Sequence, residues 1–196
     1  MTIRRISVLA TAALVMSCSK ETEVVVTETR PATTRDEKLR LFNTSDERFR
    51  NAKRSPVEGD LPDGWHELPG TEMRLLNYRF GASGDGEVWV SVSSGTVLDN
   101  VNRWLRQYDA PAVDASGLAK MRTVPVLGGT GVWVEAEGDY AAGMGAASKP
   151  GYGLAGVVAQ AGQQILTVKM VGPEEEVKAA RPALERYVTS LRMAAE

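Results

Sequence analysis

The chain has one cysteine, Cys18, and one histidine, His66, among 196 residues. A lone cysteine makes no disulfide within the chain, so stability must come from a packed core. One imidazole without a thiol partner makes no zinc site, and a nucleophile triad around His66 would need a serine and a carboxylate delivered by the fold. No apolar run approaches the roughly 20 residues that cross a bilayer as a helix. Neither sign of charge is in surplus, since 23 Lys and Arg stand against 25 Asp and Glu. Their interspersion argues against a nucleic-acid partner. Gly143, Gly145, Gly151, Gly153 and Gly156 match neither the phosphate-loop nor the dinucleotide spacing, and they do not lie between a strand and a helix. These absences leave no cofactor or metal site in view, and the expectation is that the chain is not an enzyme.

What is present begins at the N-terminus. Arg4 and Arg5 precede an uncharged run from Ile6 to Met16, followed by the small residue Ser17. This is the three-part pattern of a secretory signal. The segment Val15-Met16-Ser17-Cys18 resembles the lipobox of bacterial lipoproteins. That resemblance implies removal of residues 1–17 and a diacylglyceryl group on the Cys18 sulfur. The alternative is an ordinary signal peptide or a membrane anchor with an incidental cysteine. Each buried methylene contributes about 0.8 kcal/mol, so two or three acyl chains hold a membrane where one is marginal. Ser19 occupies a place where aspartate often retains such proteins in the inner membrane, and serine points instead to the outer one. The expected location is the cell envelope, facing the periplasm or the exterior. Processing would leave 21 basic against 25 acidic residues, a net charge of −4.

Residues 18–60 read as a lipidated N-terminus and a flexible tether. Ser19 to Arg35 has no sustained period, and the run Arg35-Asp36-Glu37-Lys38 opens a charged stretch whose large apolar residues are Leu39, Leu41, Phe42 and Phe49. So little apolar surface does not offset the entropy of ordering, though Asp36 to Leu41 or Asp46 to Lys53 has room for a short helix. A coil of about 40 residues reaches roughly 35 Å. Docking of Leu39, Phe42 and Phe49 on a partner is the other reading of this segment.

Residues 61–196 read as one globular α+β domain. Trp65 to Leu68, Arg74 to Phe80 and Glu87 to Ser93 have strand character, with a glycine-rich hairpin loop between the last two. Val97, Val101, Trp104, Leu105 and Tyr108 recur at helical spacing from Thr96 to Tyr108. Asp114 or Ser116 caps a short helix through Met121. Gly128 to Gly131 and Ala161-Gly162 are hairpin signals. After Pro173 come Glu174, Glu175 and Glu176 and an apolar stripe to Leu191, a helix that Pro182 should kink. The order implies one antiparallel sheet with helices packed on its faces.

Met73-Arg74 with Phe80, Asn100-Val101-Asn102-Arg103-Trp104 with Gln107, and Gly172-Pro173 with Ser190-Leu191-Arg192 resemble an uncharacterised family of bacterial predicted lipoproteins. The order of elements is similar to the PsbP/Mog1-type α/β/α sandwich, a fold used for docking onto protein complexes. The resemblance implies no catalytic residues.

Three groups of side chains merit weighing. Asn100, Arg103 and Gln107 share one stripe of their helix, suited to a carboxylate or a peptide backbone, or else to hydrogen bonds that fix the helix on the sheet. Glu135, Glu137 and Asp139 alternate along a strand end, as a cation or acid–base pair would, or as a solvated strand face does. Tyr140, Met144 and Tyr152 are the contact residues of a glycine-rich loop at 140–156 that covers a groove or simply moves. The expected function is a membrane-tethered, non-catalytic interaction domain with an envelope protein partner. The alternative is a carrier of a small ligand or lipid, with its groove under that loop.

Overall fold

The computed structural model describes residues 55–71, 73–143 and 145–194. Cys18, the signal peptide, the tether as far as Arg54, and Met144 lie outside the described residues. The chain runs through β1 (Val57–Glu58), β2 (His66–Leu68), β3 (Leu76–Phe80), β4 (Gly86–Ser93), α1 (Val97–Arg106), α2 (Ala115–Lys120), β5 (Thr123–Val126), β6 (Gly129–Tyr140), β7 (Lys149–Ala161), β8 (Gln164–Pro173), α3 (Glu174–Ser190) and β9 (Arg192–Met193).

Seven strands form one antiparallel sheet in the order β2-β3-β4-β8-β7-β6-β5. The fold is therefore α+β, as the sequence implies. β1 and β9 pair separately, so Val57 and Glu58, at the end of the stretch read as tether, hold the C-terminal strand. The domain spans β4 to β8 with a long connection, whereas its hairpins are tight. Leu127 (φ 46°) and Gly128 (φ 74°) both turn left-handed between β5 and β6, the backbone that a two-residue primed hairpin demands. At the next hairpin the two-residue loop is Gly162-Gln163, one residue beyond the signal at Ala161-Gly162.

Each face of the sheet carries a buried core. On one, α3 packs Val177, Leu184, Tyr187 and Val188 onto Val88, Val90, Val157, Val168 and Met170. Trp65, Tyr78, Phe80 and Tyr187 gather there with ring centroids 5.3–6.1 Å apart. On the other face, α1 lays Val101, Trp104, Leu105 and Tyr108 over Val134, Leu154, Val158 and Ile165. Each fully buried side chain of this size contributes roughly 1.5–3 kcal/mol. A capping box starts α1: the Thr96 side chain accepts from the Asp99 N–H, and the Asp99 carboxylate accepts from the Thr96 N–H. Asp114 caps α2. The helix after Pro173 runs through Pro182 without ending.

Glu135 and Glu137 are exposed, on the solvated edge of the α3 side of β6, and both face basic side chains of α3. Arg181 of α3 reaches Glu137 at 2.8 Å and Glu135 at 3.4 Å, and Lys178 lies 3.6 Å from Glu137. The hydrogen bond from Arg181 holds the Glu137 carboxyl below its ordinary range. These pairs tie α3 to β6. Asp139 lies at the irregularity of register between Gly138 and Tyr140 and is exposed.

Candidate functional site

β8 is a central strand and nearly all of it is buried. Alternation sends Leu166, Val168 and Met170 toward α3, and Ile165, Thr167, Lys169 and Val171 toward α1. That parity forces a lysine into the interior. Lys169 is only 3% exposed. Its ammonium donates to Gln107 Oε1 and faces the rings of Trp104 at 5.2 Å, Tyr140 at 5.5 Å and Trp89 at 5.6 Å. Among the described residues no carboxylate pairs with it. Burial first, then the nearby Arg103 and Arg74 cations, push its pKa down to about 7. The rings compensate in part, since a desolvated cation–π contact is worth about 2 kcal/mol.

Each wall of this box has a local cause. Trp89 stands directly opposite Lys169 in the β4–β8 register, and Gly156 stands opposite it on β7. A Cβ on Gly156 would lie 2.9 Å from the Trp104 ring and 2.4 Å from the Val168 carbonyl oxygen. The glycine thus lets the indole approach the sheet closely. Gln107, at the C-cap of α1, also donates from Nε2 to the Ala142 carbonyl at 2.9 Å, tying the segment after β6 over the lysine. Tyr140 packs between Tyr108 (5.2 Å) and Tyr152 (6.2 Å, nearly parallel), and Tyr108 donates to the Gly153 carbonyl at 2.8 Å. Burial raises the Tyr140 hydroxyl above its ordinary range, with Glu87 adding to the effect and Arg74 opposing it.

The rim is cationic. Arg74 stacks 4.3 Å from the Trp89 ring centre and donates to Asn77 Oδ1 at 2.9 Å and Glu87 Oε2 at 3.1 Å. Arg79 reaches the other oxygen of Glu87 at 3.1 Å. Arg103 is exposed on the helix edge between Asn100 and Gln107 and borders a concavity shared with Ser94, Asn102 and Arg106. No helix covers the α1-side face of β2, β3 and β4, where Glu87, Trp89, Ser91 and Ser93 are half-buried.

The structure brings together Arg103, Gln107, Tyr140 and Tyr152 from the expected stripe and loop. Asn100 takes the structural role: it is buried, its Oδ1 accepts from Ser93 at 2.8 Å and Arg103 at 2.5 Å, and its Nδ2 donates to the Ser94 and Thr96 carbonyls. The stretch 140–156 is not one long loop, because β6 runs to Tyr140 and β7 starts at Lys149. Its later glycines sit in β7, where Gly153 packs under Val177 and Gly156 under Trp104. His66 is exposed on β2. Sequence reading missed Lys169 and Trp89. The available signal was a single cation inside the otherwise apolar or hydroxylic run from Ile165 to Val171.

No family model matches this chain, and no curated protein matches it. Solved structures do resemble it. Cyanobacterial PsbP (CyanoP) from Synechocystis has a TM-score of 0.46 at 14% identity, over 72% of this chain and 89% of that one. LpqN, described as involved in cell envelope biogenesis of Mycobacterium tuberculosis, has a TM-score of 0.41 at 13% identity, over 71% and 83% of the two chains. A protein of Bacteroides thetaiotaomicron has a TM-score of 0.42 at 12% identity, over 72% of this chain, which spans 46% of that protein's length. At these scores the α+β assignment rests on the strand order and helix packing of this chain itself.

Proposed function

We propose that this chain is an envelope lipoprotein whose α+β domain is a non-catalytic accessory module. Residues 1–17 are its signal peptide, Cys18 carries the lipid, and the following segment is the tether. The domain faces the periplasm or the exterior, with Ser19 favouring the outer membrane, and it docks on an envelope protein. The observation that carries the docking reading is the uncovered half-face of β2, β3 and β4 beside α1. Both cores are otherwise closed by helices, and here Trp89, Arg74 and Arg79 lie half-buried with no helix packed over them. Among the described residues no helix is long and apolar enough to cross a membrane, which fits attachment through a lipid.

Two measurements test the reading. The intact mass of the native protein should match a chain beginning at a diacylated or triacylated Cys18, and Cys18→Ala should release it from membranes. A Cys18→Ala chain that stays fully membrane-bound refutes the anchor. For docking, a photoreactive residue at Ser91 or Arg106 should crosslink to one envelope protein at native expression, and one at Arg186 on the opposite helix should not. Equal adducts from both faces, or none from Ser91 and Arg106, refute the docking surface.

A further inference from the structure

One side chain holds both the buried lysine and the segment that leaves β6. Among the described residues Gln107 Oε1 is the one hydrogen-bond acceptor of the Lys169 ammonium. The same amide donates from Nε2 to the Ala142 carbonyl at 2.9 Å, and the Gln107 carbonyl accepts from the Ala141 N–H at 2.8 Å. An ammonium carries three donors, so one amide oxygen and three ring faces leave its charged form short of acceptors. A buried charge in that position is costly until water or a counter-charge reaches it. Two of the walls around it are fixed. Trp89 lies in the paired interior of β4, beneath Arg74, which is itself ion-paired to Glu87. Trp104 is buried in the second half of α1. The third wall, Gln107 with Tyr140 to Ala142, is held less firmly. Gln107 sits half-buried at the C-cap of its helix, and Tyr140 is half-buried as well. The pairing of β6 with β7 is continuous only as far as Gly138, and Tyr140 opposite Lys149 is the one pair beyond the irregularity.

We infer that Gln107 and the segment Tyr140 to Ala142 form an acid-released latch, closed over Lys169 while its amine is neutral and opened to admit water once it is protonated. The groups around the lysine set that direction. Burial first, then Arg103 of α1 and Arg74 ahead of β3, lower its pKa to about 7. From β4 the facing carboxylate is Glu87, which is committed to Arg74 and Arg79 at 3.1 Å each. From β6 comes Tyr140, whose hydroxyl is raised by burial and stays neutral in this range. From β7, Gly156 brings no charge, and Lys149 lies one ring further out, 5.1 Å from the centre of Tyr152. Arg103 is held by the Asn100 amide oxygen and has no carboxylate to share. With no counter-charge among the described residues, the protonated lysine has water as its remaining partner. Hydration through the third wall returns it toward its ordinary value of 10.5. Each unit of acidification between the two values then favours the open form by up to about ten-fold. Opening bares the Tyr140 ring and the end of α1, so this surface differs between acid and base.

The test is amide hydrogen exchange of the full-length chain in detergent at about pH 6 and about pH 8.5, with each rate divided into its intrinsic chemical rate. Mass spectrometry with fragmentation resolves the Ala141 amide, whose N–H reports the latch, and the Val168 amide in β8, which reports opening of the whole domain. Ala141 protection should be roughly ten-fold or more lower at the acid pH. It should lie below that of Val168 at both pH values and be insensitive to urea below the unfolding transition. Lys169→Met should abolish the pH dependence. Gln107→Glu keeps the backbone carbonyl that holds Ala141 and places a carboxylate on the ammonium, so it should keep Ala141 protected in acid. This second variant decides the matter if the first does not fold. Equal Ala141 protection at the two pH values overturns the latch. So does an acid loss that persists in either variant. Ala141 protection equal to that of Val168 overturns it as well, because the lysine would then be hydrated only by unfolding of the whole domain.

Discussion

Raising the pH from 7 to 9 should stabilise this domain, and Lys169 should be the reason. Free lysine titrates at 10.5, and burial with two neighbouring arginines brings Lys169 to about 7. Between those values the unfolded chain holds a proton that the folded chain lacks. Stability therefore climbs with pH, by about 1.4 kcal/mol for each pH unit. The cost of the buried charge is fully present below pH 7 and disappears toward pH 10.5. The whole interval corresponds to about 5 kcal/mol, and the part from pH 7 to 9 to about 2 kcal/mol. Measurement should stop near pH 9. Tyr78, Tyr108, Tyr140 and Tyr187 are raised mainly by burial, and their contribution is lost once unfolded tyrosine ionises near pH 10. Urea unfolding followed by tryptophan fluorescence at constant ionic strength is the assay. With a slope of about 1–3 kcal/mol per molar, the midpoint should rise by about 1–2 M across that range. Lys169→Met keeps the length of the side chain and places a thioether among the three rings. Its midpoint should not depend on pH through this window. At pH 6 it should exceed the parent by about 1–4 kcal/mol, the gain seen when a buried charge gives way to a well-packed apolar group. A Met variant with the parent's pH slope, or one less stable at pH 6, would refute the reasoning. The latter would mean that the rings and Gln107 more than repay the lost hydration.

Further substitutions probe the frame around the site. Gly156→Ala drives a methyl into the Trp104 ring and the Val168 carbonyl, and should destabilise the domain by about 1–3 kcal/mol while blue- or red-shifting its tryptophan emission. Thr96→Ala removes the cap of α1 and should cost about 1 kcal/mol in urea midpoint experiments. Tyr187→Phe deletes the hydroxyl that donates to Tyr78 at 3.1 Å and leaves a buried oxygen with one fewer partner, and should cost about 1–2 kcal/mol in the same urea experiments.

Local features were legible because they depend on neighbours in sequence. The apolar spacing from Val97 to Tyr108 marks the helix that forms as Val97–Arg106, two residues shorter at its end because the last turn tightens onto Leu105 and Trp104 carbonyls. The glycine hairpins were legible for the same reason. Of the glycines of 140–156, Gly143 and Gly145 do lie in a loop, whereas Gly151, Gly153 and Gly156 lie in β7, which sequence alone does not show because glycine weakens an isolated strand. In β7 they are needed for what presses on them: Trp104 over Gly156 and Val177 over Gly153. Their role exists only once a helix from elsewhere in the chain is in place.

The candidate site divides the same way. The amino-acid order by itself placed Asn100, Arg103 and Gln107 on one edge of a helix and gave the strands their two-residue alternation. Alternation says that Lys169 and Trp89 each face one side of a sheet, but not that they face each other. Only the tertiary structure made β4 and β8 neighbours, with some 70–80 residues between their paired positions, and closed α1 over one half of that face. Helix edges follow from a 3.6-residue period within one segment. A box of four side chains drawn from β4, α1, β6 and β8 follows from the strand order, which is set by how both faces of the sheet are buried at once.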